Sequence, residues 1–294
     1  MTDAVAEITR PDSPLVDRLR PSPNHGARRA GYETAKPDML VLHYTGMPAG
    51  RGRSACERAV SWLTDTRSQV SAHYVIDEDG TILQLVPESR RAWHAGVSSW
   101  AGETDLNSAS IGIEIVNPGY WWDMAAAPDR AAGEPVETHP GYTDFPAAQV
   151  DAVIALCRDI LARNPVPADR VLAHSDIAPA RKQDPGEKFP WERLAAAGVG
   201  LWTAPEPVGG GRFFTKGDEG QPIQALQAMF GVYGYGLSVT GVYDDATEQV
   251  VKAFQRHWRQ TRVDGVADVS TITTLRRLMA LRPVSSDARA EARA

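Results

Sequence analysis

Residues Ser110 to Asn117 read S-I-G-I-E-I-V-N, and this strict alternation constrains the fold more than any other stretch of the chain. Successive side chains of an extended strand point to opposite faces, so Ile111, Ile113 and Ile115 share one face and Gly112, Glu114 and Val116 the other. Such a segment needs neighbouring strands and a hydrophobic layer against its isoleucines. It also sets a carboxylate on the opposite face, where burial is expensive unless the group is paired or working.

Other stretches supply the neighbours. Asp38 to Tyr44 is a short apolar run with the profile of a strand buried on both faces, and R-V-L-A-H-S-D from Arg170 is another, so His43 and His174 each stand at a strand end. The stretch S-A-H-Y-V-I-D-E-D-G-T-I-L-Q-L-V-P-E predicts two strands joined by a turn at Asp79-Gly80. Ser54, followed by Glu57 at the third position, is a capping box that opens a helix over about 55–65. Val150, Val153, Ile154, Cys157, Ile160 and Leu161 recur at helical spacing between Pro146 and a stop at Asn164-Pro165. Strands and hairpins separated by helices predict an α/β fold, a mixed β-sheet flanked by helices.

The organisation along the chain follows from composition. Residues 1–20 are polar and predicted irregular, 21–200 form the main domain, and 201–211 are a proline- and glycine-rich linker expected to make few contacts. In 212–282, Gly241 to Thr247 and Gly265 to Thr271 repeat Gly-Val-x-Asp-x-x-Thr ahead of helix-period segments, which predicts a small three-helix domain. Residues 283–294 are predicted to be disordered. An inserted loop from Tyr120 to Tyr142 carries Trp121 and Trp122, read either as stacking on a sugar or as loop packing.

A net charge of -6 with no long basic run argues against nucleic acid or an anionic membrane as partner. No run approaches the roughly 18 apolar residues of a membrane span, and no secretory signal is visible. The expectation is a soluble protein, cytoplasmic by default, with the cell envelope as the alternative. Cys56 and Cys157 lie on separate predicted helices and read as buried thiols. Oligomeric state is not legible.

The chemistry concentrates in H-S-D-I-A-P-A-R-K-Q-D-P-G, residues 174–186. The chain has neither H-E-x-x-H nor paired C-x-x-C, so a metal site must draw on dispersed residues. His43 and His174 at adjoining strand ends, with Asp184, would give two neutral imidazoles, one carboxylate and an open fourth position, the layout of catalytic zinc. Glu114 is then the candidate proton acceptor and Lys182 the candidate stabiliser of an oxyanion. The alternatives are a surface ion pair for Glu114 and plain solvation for Lys182.

Five stretches, V-L-H-Y-T-G, the hairpin segment, R-A-W-H-A-G, L-N-S-A-S-I-G-I-E-I-V-N and V-L-A-H-S-D through F-P-W, resemble in order and spacing the zinc-dependent N-acetylmuramoyl-L-alanine amidases, whose fold is shared by peptidoglycan recognition proteins. Residues 212–282 resemble the three-helix peptidoglycan-binding domain. The resemblance implies one zinc ion on His43, His174 and Asp184, with Glu114 and Lys182 catalytic. It implies hydrolysis of the amide between the lactyl group of N-acetylmuramic acid and L-alanine, in peptidoglycan or muropeptides. Trp93, His94 and Ala95, with Asn107, become candidate substrate contacts. His73 matches a family position too, with a structural reading preferred. Two other readings stand beside this one: a non-catalytic peptidoglycan recognition protein, and a zinc hydrolase of another amide.

Overall fold

A computed structural model of the chain describes residues 8–29, 32, 36–50, 52–120 and 142–282. The inserted loop's Trp121 and Trp122, and the C-terminal tail, lie outside the described residues. The centre of the fold is a six-stranded sheet of β1 (Arg18–Leu19), β3 (Met39–Tyr44), β4 (Tyr74–Ile76), β5 (Ile82–Gln84), β7 (Ser110–Ile115) and β8 (Val171–Ala173). Its order is β1-β5-β4-β7-β3-β8. Strands β4, β7, β3 and β8 run parallel, β5 is antiparallel to β4 across the Asp79-Gly80 turn, and β1 lies parallel to β5. A small antiparallel pair, β2 (His25–Gly26) and β6 (Arg91–Ala92), stands apart.

The isoleucine face of β7 is covered as the alternation requires. Ile111, Ile113 and Ile115, with Leu40 and Leu42 of β3, pack against Val150, Val153, Leu156, Cys157 and Ile160 of α3 (Ala147–Arg163) and against Trp191 and Leu194 of α5 (Trp191–Ala196). The other face is divided. Toward β4 and β5 it is covered by α1 (Ala55–Leu63), which opens on the Ser54–Glu57 capping box. Helix α2 (Leu106–Ala109) leads directly into β7. Cys56 and Cys157 are buried free thiols.

Toward β3 and β8 the cover comes from the far end of the chain. Met39, Val41 and Leu172 belong to the same apolar cluster as Ile223, Leu226, Phe230, Val250, Phe254 and Leu275. Those residues lie on α6 (Gln221–Tyr233), α7 (Asp245–Trp258) and α8 (Val269–Leu281). Trp100 is 2% exposed and meets Tyr233 and Tyr235 edge-on at 5.9 and 5.0 Å between centroids. The connecting stretch is strapped down as well: Trp258 Nε1 donates to Leu201 O at 3.1 Å, and Glu206 N to Thr274 Oγ1 at 3.1 Å. Few contacts were expected there, because composition reports local flexibility and is silent on an apolar sheet face in need of cover.

The repeated turn motif has a structural cause. Asp244 and Asp268 cap α7 and α8 by accepting from Thr247 N at 2.9 Å and Thr271 N at 2.8 Å. A buried glutamine on the preceding helix then grips each turn. Gln227 Oε1 accepts from Thr240 N and Gly241 N, and Gln255 Oε1 from Asp264 N and Gly265 N. Each amide nitrogen donates onward to the capped threonine, Gln227 to Thr247 and Gln255 to Thr271. One further difference concerns the N-terminal segment: Arg18–Leu19 is an edge strand rather than irregular chain. It satisfies the open edge of β5, and the Asp17 carboxylate accepts from Ile82 N at 2.8 Å.

Candidate active site

His43 is the fifth residue of β3, and the parallel register sets it beside Glu114 of β7. On the other side of β3, Leu42 pairs with Ala173, the last residue of β8. His174 follows at once as the first residue of α4 (His174–Ile177), a single helical turn. The next segment doubles back, with Arg181 N and Lys182 N donating to Ala178 O, and Ser175 N to the carbonyl of Asp184 at 3.0 Å. The Asp184–Pro185 peptide is cis. Beyond it Tyr142 OH donates to Pro185 O at 2.7 Å. Gly186, at φ 82°, lies where a Cβ would come within 2.1 Å of that hydroxyl.

The three candidate ligands face one another. His43 Nδ1 is 2.9 Å from His174 Nδ1 and 3.1 Å from Asp184 Oδ2, and His174 Nδ1 is 2.9 Å from the same oxygen. The outer nitrogens are engaged elsewhere: His43 Nε2 lies 3.0 Å from His94 Nδ1, and His174 Nε2 donates to Ala95 O at 3.2 Å. Both Nδ1 lone pairs are thereby turned inward. Tetrahedral zinc with Zn–N near 2.0–2.1 Å sets its ligand atoms about 3.3 Å apart, so this triangle fits the ion to within a few tenths of an ångström.

Protonation favours the same reading. Burial, reinforced by the neighbouring His174, lowers the His43 pKa to about 4, which keeps its ring neutral. Burial alone would raise Asp184, but the two histidines outweigh it and hold the carboxyl well below the usual range. That stabilisation needs a positive centre between the carboxylate and the imidazoles, a shared proton in the free protein or a metal ion in its place, and with the ion all three atoms become ligands.

Glu114 stands in a contrasting environment. Desolvation, then the negative charge of Asp184, raises its pKa well above that of an ordinary glutamate, with Lys182 opposing. Its Oε2 is buried and has no hydrogen-bond partner among the described residues. It lines a cleft of about 440 Å³ together with Tyr44, Trp93, His94, Tyr120, His174, Lys182 and Asp184. The structure thus brings His43, His174, Asp184, Glu114 and Lys182 to one place.

The candidate substrate contacts divide. Trp93 and His94 line the cleft, whereas Ala95 and Asn107 do not. Asn107 is 7% exposed, and its Oδ1 accepts from His94 N and Ala95 N at 3.0 and 2.8 Å. It holds the Trp93–Ala95 segment in place, and Ala95 in turn serves His174 through its carbonyl. His73 is fully buried and accepts from Gly112 N at 3.0 Å, which matches its structural reading. Gly112 itself makes room for the site, because a Cβ there would lie 2.4 Å from the His94 ring. We predict that Gly112→Ala displaces His94 from His43 and costs about 1–3 kcal/mol by overpacking, read as a lower midpoint in chemical unfolding.

Comparison with known proteins bears on what this arrangement does. Residues 33–187, more than half of the chain, match the sequence model of the N-acetylmuramoyl-L-alanine amidases. The chain belongs to the N-acetylmuramoyl-L-alanine amidase family. Residues 219–275 of this amidase match the peptidoglycan binding domain model. The amidase is 36% identical over 253 residues to N-acetylmuramoyl-L-alanine amidase AmiD of Escherichia coli, covering 83% of this chain and 82% of that one. It is 36% identical over 194 residues to 1,6-anhydro-N-acetylmuramyl-L-alanine amidase AmpD of Enterobacter cloacae, covering 62% of this chain and 90% of that one. Among solved structures, E. coli AmiD in complex with anhydro-N-acetylmuramic acid-L-Ala-D-gamma-Glu-L-Lys superposes with a TM-score of 0.66 at 33% identity, covering 86% of this chain and 92% of that one.

Some of the amidase's site residues were not visible in its sequence. Tyr44 and Tyr120 line the cleft, and Tyr142 packs behind them with ring centroids 6.2 and 4.6 Å away. Arg181 donates to Ala95 O and Val97 O and fastens the cleft rim. Scattered single tyrosines and one arginine carry no spacing signal; only the folded chain assembles them. Among the described residues no helix is long and apolar enough to cross a membrane.

Proposed function

We propose that this amidase hydrolyses the amide between the lactyl carbonyl of N-acetylmuramic acid and L-alanine with one zinc ion held by His43, His174 and Asp184. The observation that carries this reading is the inward triangle of two Nδ1 atoms and one carboxylate oxygen, 2.9–3.1 Å on each side, with Glu114 beside it in the cleft. When bound, zinc supplies Lewis acidity, making water a stronger acid and a carbonyl a better electrophile. Glu114 accepts the proton of the attacking water and delivers it to the departing alanine nitrogen, a double duty suited to a carboxyl whose pKa is raised by burial. Lys182 presents its ammonium to the oxygen that gains negative charge as the tetrahedral centre forms. The products are a lactyl carboxylic acid and a stem peptide with a free α-amino group.

The cleft and the helical domain support two kinds of recognition. A cleft of about 440 Å³, lined by Tyr44, Trp93, His94 and Tyr120, is of a size for one sugar and the first residues of a peptide, with the rest of a longer substrate outside it. The helical domain supplies contact with peptidoglycan beyond the cleft, so both soluble muropeptides and wall-attached stems are substrates, in whichever compartment supplies them. The test is incubation of the zinc-loaded protein with an anhydromuropeptide and separation of the products. Free stem peptide beginning at L-alanine is expected. Binding without release would establish a recognition protein, and release only from other acyl-amino acids would establish a different hydrolase.

A further inference from the structure

Asp176 sits two residues beyond His174, fully buried, on a turn of only four residues. A helix that short has no stability of its own, so its position is set by what holds it. Its carboxylate has three donors. Ala173 N reaches Oδ2 at 2.8 Å from within the turn. The other two come from the helical domain: His257 Nδ1, near the end of α7, donates to Oδ2 at 2.6 Å, and Tyr235 OH donates to Oδ1 at 2.9 Å.

Both donors are themselves fixed. His257 is 2% exposed and stacks on Trp191 with ring centroids 3.7 Å apart, and Tyr235 packs edge-on against Trp100. The same domain reaches the far side of the ligand-bearing loop. Gln260 Nε2 donates to Glu187 O and Phe189 O at 2.7 Å each, three and five residues beyond Asp184. The ligands therefore divide by support. His43 and the neighbouring Glu114 are held by strands, while the His174 and Asp184 segments are held in large part by helices that begin more than thirty residues later in the chain.

We propose that His257 and Tyr235 are positioning residues of the catalytic site, acting through Asp176 to hold His174 where it can bind the metal. On this account the helical domain is part of the amidase machinery as well as a wall-binding module. The proposal rests on the zinc reading above, and it treats the domain contact as a support for a ligand rather than as general packing. Loss of a group bonded directly to a metal-ligating side chain costs about 10- to 100-fold in metal affinity, which is the ceiling for donors that act through Asp176.

The test uses the full chain. Zinc affinity is measured by competition with a chromogenic chelator, and kcat and KM are measured on a muropeptide. The double variant His257→Phe/Tyr235→Phe keeps the ring packing and removes both donors. It is expected to bind zinc severalfold, and at most about 100-fold, more weakly and to lose kcat with KM nearly unchanged. His257→Asn places an amide donor where Nδ1 stood and is expected to restore most of the affinity lost in His257→Phe. Gln227→Ala frees only the 240–242 turn and Thr247, none of which touches Asp176, His257 or Tyr235, and it should leave zinc affinity at the wild-type value. Wild-type affinity in the double variant, or an equal loss in Gln227→Ala, overturns the proposal. A wild-type protein that binds no zinc would end the metal reading itself, an outcome visible before any variant is made.

Discussion

Glu114→Gln is expected to lower kcat by about 10²- to 10⁴-fold while zinc content and KM stay near wild type. The amide keeps the shape of the carboxylate and cannot take up a proton, so it removes one step and leaves the fold of β7 alone. Glu114 is on the face of β7 opposite the isoleucines, beside His43 across the strand pair, and it lines the cleft. A companion effect is the acid limb of kcat/KM. Glu114 must be ionised to accept a proton, and burial raises its pKa well above the ordinary value. Activity should therefore fall, as pH is lowered, at a pH above the usual range for a glutamate near 4.3. In Glu114→Gln the residual activity should lose that limb. A variant with wild-type turnover would remove Glu114 from the reaction.

Asp184→Ala should be as damaging for a different reason. It deletes one of three ligands, so zinc affinity is expected to fall by more than the roughly 10- to 100-fold typical of outer-partner losses, and activity with it. Calorimetry separates this from a folding defect. A bound ion stabilises the native state by about 4 kcal/mol at a thousandfold excess over Kd, so saturating zinc should raise the wild-type Tm clearly and that of Asp184→Ala very little. The two histidines left behind remain in their places, since His174 is held through Ala95 O and His43 through its strand. A chelator should reproduce the loss in the wild type and readded zinc should reverse it. Retention of full zinc affinity in Asp184→Ala would mean that the ion binds elsewhere.

How far the sequence could be read depended on the range of the interactions. Local signals served well. The alternation of β7, the Ser54–Glu57 box, the Asp79-Gly80 turn and the periodicity of α3 each rest on residues close in the chain, and each appears in the structure. The Gly-Val-x-Asp-x-x-Thr echo was legible for the same reason, since Asp244 and Asp268 cap within three residues. The glutamines that grip those turns were not, because Gln227 and Gln255 act across 13 to 15 and 9 to 11 residues and resemble any other helical glutamine.

The site shows the same division. His43, Glu114, His174 and Asp184 stand out as polar groups at strand ends or in a proline-bounded loop, where burial demands an explanation. The family resemblance makes Asn107 and Ala95 candidate substrate contacts, whereas in the structure they lie behind the cleft and make bonds to backbone groups that no side-chain pattern records. Nothing in H-S-D-I-A-P sets Asp176 apart from a surface aspartate; its two distant donors are 59 and 81 residues further on. The same distance hid the role of the helical domain as cover for one face of the sheet.

The most direct test of the account is one isotope experiment. The zinc-loaded protein is incubated with an anhydromuropeptide in heavy-oxygen water, and the products are read by mass spectrometry. Hydrolysis at the lactyl amide with Glu114 activating water predicts one heavy oxygen in the carboxylate of the muramic acid product, none in the stem peptide, and product formation about 10²- to 10⁴-fold slower with Glu114→Gln. A stem peptide carrying the label, cleavage at any other bond, or undiminished product with Glu114→Gln would contradict it.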